Sequence, residues 1–80
     1  MNLKPVSTEK AIMLIESQNV LTFKIEKKVT KEMLKKEIED LFDVKIEKIR
    51  TLIDGSQKSA YVKLKKDFLA MDIATKLGLI

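Results

Sequence analysis

The side chains best placed for chemistry lie in the second half of the chain. Tyr61, Lys63 and Lys65 recur at every second position, and Lys48 and Arg50 do the same shortly before them. Ammonium and guanidinium groups at strand spacing can follow a phosphate backbone, and an aromatic ring among them can stack on a base or ribose. Lys45 and Lys58 flank these rows. The competing reading is a solvated strand face enriched in lysine for solubility, and the pattern alone leaves both open. Near the start, Lys4, Ser7, Thr8 and Lys10 surround a proline and the beginning of a helix. Backbone N–H groups, hydroxyls and ammoniums in that setting could hold a phosphate. Taken alone, the stretch reads first as ordinary helix capping.

Other chemistries lack their parts. The 80 residues include no cysteine and no histidine, so thiolate nucleophiles, disulfides and imidazole ligands or bases are excluded. Carboxylates, lysines, hydroxyls and the single Tyr61 do not assemble into a catalytic constellation, and the chain is read as not an enzyme. Glu37, Glu39, Asp40 and Asp43 resemble a carboxylate cluster, but two of them face different sides of the helix and no histidine supports them. Neither a metal nor a cofactor is expected. Gly55 alone makes no phosphate-binding loop. The longest apolar run, Ala11–Ile15, falls far short of the roughly 20 residues a membrane span requires.

The chain carries 16 basic and 12 acidic residues, a net charge of +4. That total is unremarkable, but its distribution is uneven. Residues 44–66 hold seven basic side chains against Glu47 and Asp54, whereas residues 30–43 hold three basic against five acidic. Such polarity suits a surface laid on polyphosphate with its far side in solvent. Apolar residues at 45% argue for a folded chain, expected to be a single domain over residues 1–80 and marginal in isolation.

The elements that must position these groups follow from periodicity. Lys4-Pro5-Val6 is extended, because proline disfavours helix at the residue before it. Ser7 or Thr8 caps a helix running to about Ser17, with Asn19 at its exit. Val20–Ile25 alternates as a strand, with Leu21, Phe23 and Ile25 inward and Thr22, Lys24 and Glu26 outward. Thr30 caps a second helix in which Leu34, Ile38, Leu41 and Phe42 share a face and Glu32 pairs with Lys36. A strand from about Val44 to Ile53 slips its alternation between Ile46 and Ile49, the mark of a bulge or twist. Asp54-Gly55-Ser56-Gln57 turns the chain into Lys58–Lys65, with Ala60, Val62 and Leu64 inward. Asp67 caps a last helix, with Leu69, Ile73 and Leu77 on one face and Gly78 at its end. The expected class is α+β: a small antiparallel or mixed sheet sandwich, plait-like in the split βαβ sense, with helices packed on one face and an edge. The last strand is expected between the two earlier ones and antiparallel to both.

The order of motifs resembles ribosomal protein twenty-three of the large subunit, in its archaeal form. Pro5 with Thr8-Glu9-Lys10-Ala11, then Asn19 and Phe23, is similar to the start of that family. Leu41-Phe42-Asp43-Val44-Lys45 with Thr51-Leu52 is similar to its middle. Lys58 with Ala60-Tyr61-Val62-Lys63-Leu64 is similar to its signature strand, and Ile73-Ala74 with Leu77-Gly78 to its archaeal end. The resemblance implies a non-enzymatic, cytoplasmic constituent of the ribosome that binds large-subunit rRNA beside the polypeptide exit tunnel, among neighbouring ribosomal proteins. It also implies docking of factors that meet emerging chains, including the signal recognition particle and the protein-conducting channel. Bacterial relatives use the stretch corresponding to Glu9 to receive a chaperone. Ser59 departs from the second basic residue usual in the signature strand, and Arg50 stands where asparagine is common. Neither the long tunnel loop of bacterial members nor the basic N-terminal extension of eukaryotic ones is expected. The alternative from another class is a protein-interaction module with the same plait and no nucleic acid.

Overall fold

A computed structural model describes residues 3–79. Pro5 fixes its own φ and cannot donate to a ladder, so a strand containing it belongs at a sheet edge. Strand β1 (Lys4–Pro5) is such a strand, paired antiparallel to β2 (Val20–Ile25) through Lys4–Lys24 and Pro5–Phe23. The chain then turns into helix α1 (Glu9–Gln18). Thr8 rather than Ser7 is its cap, with Oγ1 accepting from the Ala11 N–H at 3.2 Å. Thr30 does the same for Met33 at the head of α2 (Lys31–Phe42), also at 3.2 Å.

Strand β3 (Ile46–Asp54) and strand β4 (Gln57–Leu64) form a hairpin closed by Gly55 and Ser56, with Asp54 opposite Gln57. Gly55 takes a φ of 63° there, a conformation open to glycine at no steric cost. The sheet order is β1-β2-β4-β3, with every hydrogen-bonded pair antiparallel. The last strand therefore lies between β2 and β3, as the sequence pattern required. One sheet face carries the core. Leu21, Phe23, Ala60, Val62 and Leu64 meet Leu34 and Ile38 of α2 and Ile73 of α3 (Ala70–Lys76), all essentially inaccessible.

Three expectations about the helices need correction. Leu41 is 62% exposed, because Phe42 and Val44 fill the core where the chain turns back at Asp43, whose φ is 54°. Glu32 and Lys36 do not close an ion pair. Among the described residues the pairs are Glu26–Lys28 at 3.3 Å and Glu47–Lys63 at 3.7 Å. Asp67 does not cap the last helix, which starts later, with an exposed Leu69 at its N-cap and no capping bond from it.

The cap for α3 comes instead from Asn19, about fifty positions earlier. Its Oδ1 accepts from the Ala70 N–H at 2.6 Å, and its Nδ2 donates to the Phe68 carbonyl at 2.7 Å and the Leu64 carbonyl at 3.4 Å. Its own carbonyl accepts from the Leu64 N–H at 3.2 Å. The same residue ends α1 in the left-handed conformation, φ 59° and ψ 38°, with its N–H donating to the Leu14 carbonyl. Asparagine is among the few residues other than glycine that visit this region readily. Replacing it separates the two roles. Asn19→Gly keeps the backbone and loses the side-chain bonds, at about 1–3 kcal/mol. Asn19→Ala loses both, and should cost about 1 kcal/mol more than the glycine variant. Urea unfolding of both variants measures the difference, and equal losses would mean that the left-handed turn carries no share.

Candidate nucleic-acid interface

The face opposite the core is assembled by cross-strand rows, since residues directly opposed in an antiparallel pair project to the same side. Thr22, Tyr61 and Arg50 form one row across β2, β4 and β3. Val20, Lys63 and Lys48 form the next. Lys24, Ser59 and Leu52 form a third, which Lys4 extends on β1. The alignment of β3 depends on the expected irregularity. Ile46 pairs with Leu64 and Lys48 with Lys63, so Glu47 is the one extra residue of a bulge. The extra residue lets Ile46 and Ile49 both serve the core, while Lys48, Arg50 and Leu52 come out on the open face.

Helix α1 turns this face into a trough. Ala11 and Ile15 are buried, whereas Lys10, Leu14 and Gln18, one helical turn apart, line a cleft of about 450 Å³ with Arg50, Tyr61 and Lys63. Among the described residues, the lining of the cleft includes three lysines and an arginine and no carboxylate. Glu47 stands close by, its Oε2 3.7 Å from the Lys63 Nζ, with both side chains about half exposed. A pair that accessible to water contributes little to stability. Tyr61 is half-buried, so its ring is held while part of it stays accessible.

Lys10, Lys48, Arg50, Tyr61 and Lys63 are thus brought together, with Lys4 further along the same face. The other basic candidates stand apart. Lys45 and Lys65 lie past the last paired residues, with exposed side chains and backbones joined by the Lys65 N–H to Lys45 carbonyl bond at 3.1 Å. Lys58 falls on the core side of β4, in phase with Ala60 and Val62. Its Nζ donates to the carbonyls of Val29 at 2.7 Å and Lys27 at 3.4 Å, where it ties down the loop before α2. Ser7 is exposed and Thr8 is engaged as the cap. Glu9 is exposed in the first turn of α1 and does not line the trough. The site also takes in residues that the sequence did not single out, namely Lys24, Leu52, Leu14 and Gln18. Alternation in β2 already placed Lys24 outward, and a four-residue repeat from Lys10 marks the other side of α1.

Two of the carboxylates at the end of α2 have a structural use. Glu39 Oε2 accepts from the Ile46 N–H at 2.9 Å, which fixes where β3 begins, and Asp43 ends the helix. No group of three potential metal ligands occurs among the described residues.

A trough of cations with one accessible aromatic ring fits a polyanion better than a small molecule. Comparison with known families points the same way, since a model described as Ribosomal protein L23 matches residues 1–68. The chain belongs to this family. The matched span contains every residue of the trough and ends just before α3, which Asn19 fastens to it. As a Ribosomal protein L23 member, the chain is a structural component of the large ribosomal subunit and not an enzyme. A ribosomal, cytoplasmic location fits the family. Among the described residues no helix is long and apolar enough to cross a membrane.

The placement of the lysines has a measurable consequence for stability. Lys58→Ala removes a charged donor from two loop carbonyls and should cost about 1–2 kcal/mol. Lys48→Ala, on the open face, should stay within about 0.5 kcal/mol of the parent. Chemical denaturation of the two variants makes the comparison, and equal effects would remove the distinction drawn between them.

Proposed function

We propose that the chain binds large-subunit rRNA through the trough between α1 and the open face of β2, β4 and β3. In the ribosome it would occupy the neighbourhood of the polypeptide exit tunnel. The observation that carries this reading is the pair of adjoining rows, Arg50–Tyr61 and Lys48–Lys63, facing Lys10 across a cleft with no carboxylate among its described lining residues. Tyr61 and Lys63 are two residues apart on a strand, about 6.7 Å, so ring and ammonium can engage neighbouring parts of a ribose–phosphate chain. Lysine acts here as a point charge, and Arg50 adds a planar donor that can also stack on a base. Contacts of this kind read backbone and shape more than sequence. Lys4, Lys45 and Lys65 extend the positive surface at its ends, and Ser7, Thr8 and Lys10 bring the head of α1 to the RNA. Lys58 contributes only through the loop it holds.

The opposite side of α1 is the better surface for protein partners. Glu9 and Met13 are one turn apart and both exposed, Met13 by 61%. This side supports transient docking of nascent-chain factors such as the signal recognition particle and the protein-conducting channel, alongside lasting contacts with neighbouring ribosomal proteins. The two-residue turn at Gly55-Ser56 leaves no loop to reach into the tunnel, in keeping with the archaeal form. The whole span would then act as one rRNA-binding domain.

Binding of the purified chain to large-subunit rRNA fragments across a salt series tests the reading, with an unrelated RNA as control. Selective binding should weaken log-linearly with salt. Lys48→Ala and Lys63→Ala should each lower the slope by about 0.7–0.9. Tyr61→Ala should cost about 1–3 kcal/mol of affinity with the slope unchanged. Equal binding to both RNAs, or none, would favour a protein-interaction module instead.

A further inference from the structure

Thr22 is the one buried polar residue among those described, 8% exposed, and its Oγ1 has no hydrogen-bond partner. Valine has nearly the same shape and suits a strand equally well, so packing does not require the hydroxyl. An unpaired buried hydroxyl is destabilising on a scale comparable to a lost hydrogen bond. Its surroundings indicate what would satisfy it. Thr22 lines a cleft of about 120 Å³ beside the trough, together with Lys10, Lys24, Thr8, Ser59 and Tyr61. Register sets Ser59 opposite Lys24 and Tyr61 opposite Thr22, and Lys4 flanks Lys24 on the other side. Of the nine residues around the cleft, two carry ammoniums and four carry hydroxyls, beside the apolar Val6, Ala11 and Leu14, with no carboxylate among those described. Each hydroxyl has a proton to donate, including that of Thr8, whose oxygen accepts from Ala11. A cluster of donors under positive charge repels cations and suits a tetrahedral oxyanion.

We infer that this cleft seats a single phosphate group, with Thr22 donating to one oxygen and Lys10 and Lys24 balancing the charge. The inference rests on the reading of the open face as an RNA interface, where the group would be one backbone phosphodiester. Free inorganic phosphate offers the same chemistry. Oγ1 is closed off from solvent in the free chain, so a lining side chain moves as the seat fills. Lys10 and Lys24 are both exposed, with long rotatable stems able to do so. The hydroxyl therefore opposes folding and favours binding, a combination that a purely structural threonine would not produce.

The test is a pair of titrations of the full chain followed by NMR, one with inorganic phosphate and one with the selected rRNA fragment. Both use the parent, Thr22→Val and Thr22→Ser. Phosphate should shift the resonances of Thr22, Lys24 and Ser59. Thr22→Val should weaken both ligands about tenfold while its urea midpoint stays equal to or above that of the parent. Thr22→Ser, which keeps the hydroxyl, should restore binding. If Thr22→Val binds phosphate and rRNA like the parent, the seat is overturned while the RNA reading stands. If the parent shows no preference for rRNA but phosphate still binds and Thr22→Val loses it, the RNA reading falls and the seat is supported as a site for free phosphate. Should the valine variant fail to fold, Lys24→Gln replaces it, and unchanged binding of both ligands by that variant overturns the seat.

Discussion

Asn19 is where four elements meet. It ends α1, begins β2, receives the end of β4 and caps α3. No other residue type does all of this easily. Glycine would accept the left-handed turn but has no amide to offer. Glutamine has the amide, but its longer chain would carry the group past the carbonyls. The left-handed turn sets where α1 stops relative to β2, and hence which side of that helix overlooks the open face. The amide then reaches α3, a helix of seven residues that is too short to be stable in isolation. Packing of Ile73 and Ala74 into the core holds α3 in place, and the Asn19 cap supplies its first turn with the acceptor that Leu69 lacks. A chain this small has few buried contacts to spare, and one side chain joining segments about fifty residues apart replaces several weaker ones.

The bulge at Glu47 imposes the second constraint. Strict alternation from Ile46 would send residue 49 outward and residues 48 and 50 into the core, burying a lysine and an arginine at prohibitive cost. The extra residue reverses the phase of everything after it. One strand thereby serves the core at Ile46 and Ile49 and the open face at Lys48, Arg50 and Leu52. Glu39 holds the start of that strand by accepting from the Ile46 N–H, which fixes the register before the bulge. Side chains of α2 that resemble a carboxylate site in sequence are thus part of what aims the basic rows.

Features written in local pattern were legible in the sequence. The alternation of Leu21, Phe23 and Ile25, the helical spacing of Leu34 and Ile38, and the broken phase near Ile46 each reflect a period that burial enforces. The strand order followed, because the hairpin keeps the last two strands adjacent and the strand–helix–strand crossover from β2 to β3 leaves room for the last strand between them. What escaped was long-range. Asp67 resembles a cap in sequence, yet the acceptor at α3 is supplied by Asn19, and no local rule records a bond across fifty residues. Leu41 fits the apolar repeat, yet the sheet offers it no partner, since Phe42 and Val44 already occupy that end. The sheet rows of the site were partly legible, because strand phase alone relates Arg50 to Tyr61 and Lys48 to Lys63. The wall of α1 was not, since only the packed structure shows which side of that helix faces the rows.

Lysine identity says little about role in this chain, and the reason lies in where the stem leaves the backbone. Lys58 and Lys63 sit on one strand five residues apart, so their side chains leave from opposite faces. The first finds two carbonyls left free by the loop before α2 and becomes part of the framework. The second emerges among cations, where its close anionic partner among the described residues, Glu47, is half exposed and weakly held. Water screens the repulsion among Lys48, Arg50 and Lys63 well enough for the free chain to tolerate it, because each head group reaches solvent. Exclusion of that water by a polyanion would strengthen every charge on the face together, while the lysine bound to the loop would contribute almost nothing new. Net charge counts both kinds equally. The strand register separates them, and only the side it turns to solvent is available to a partner.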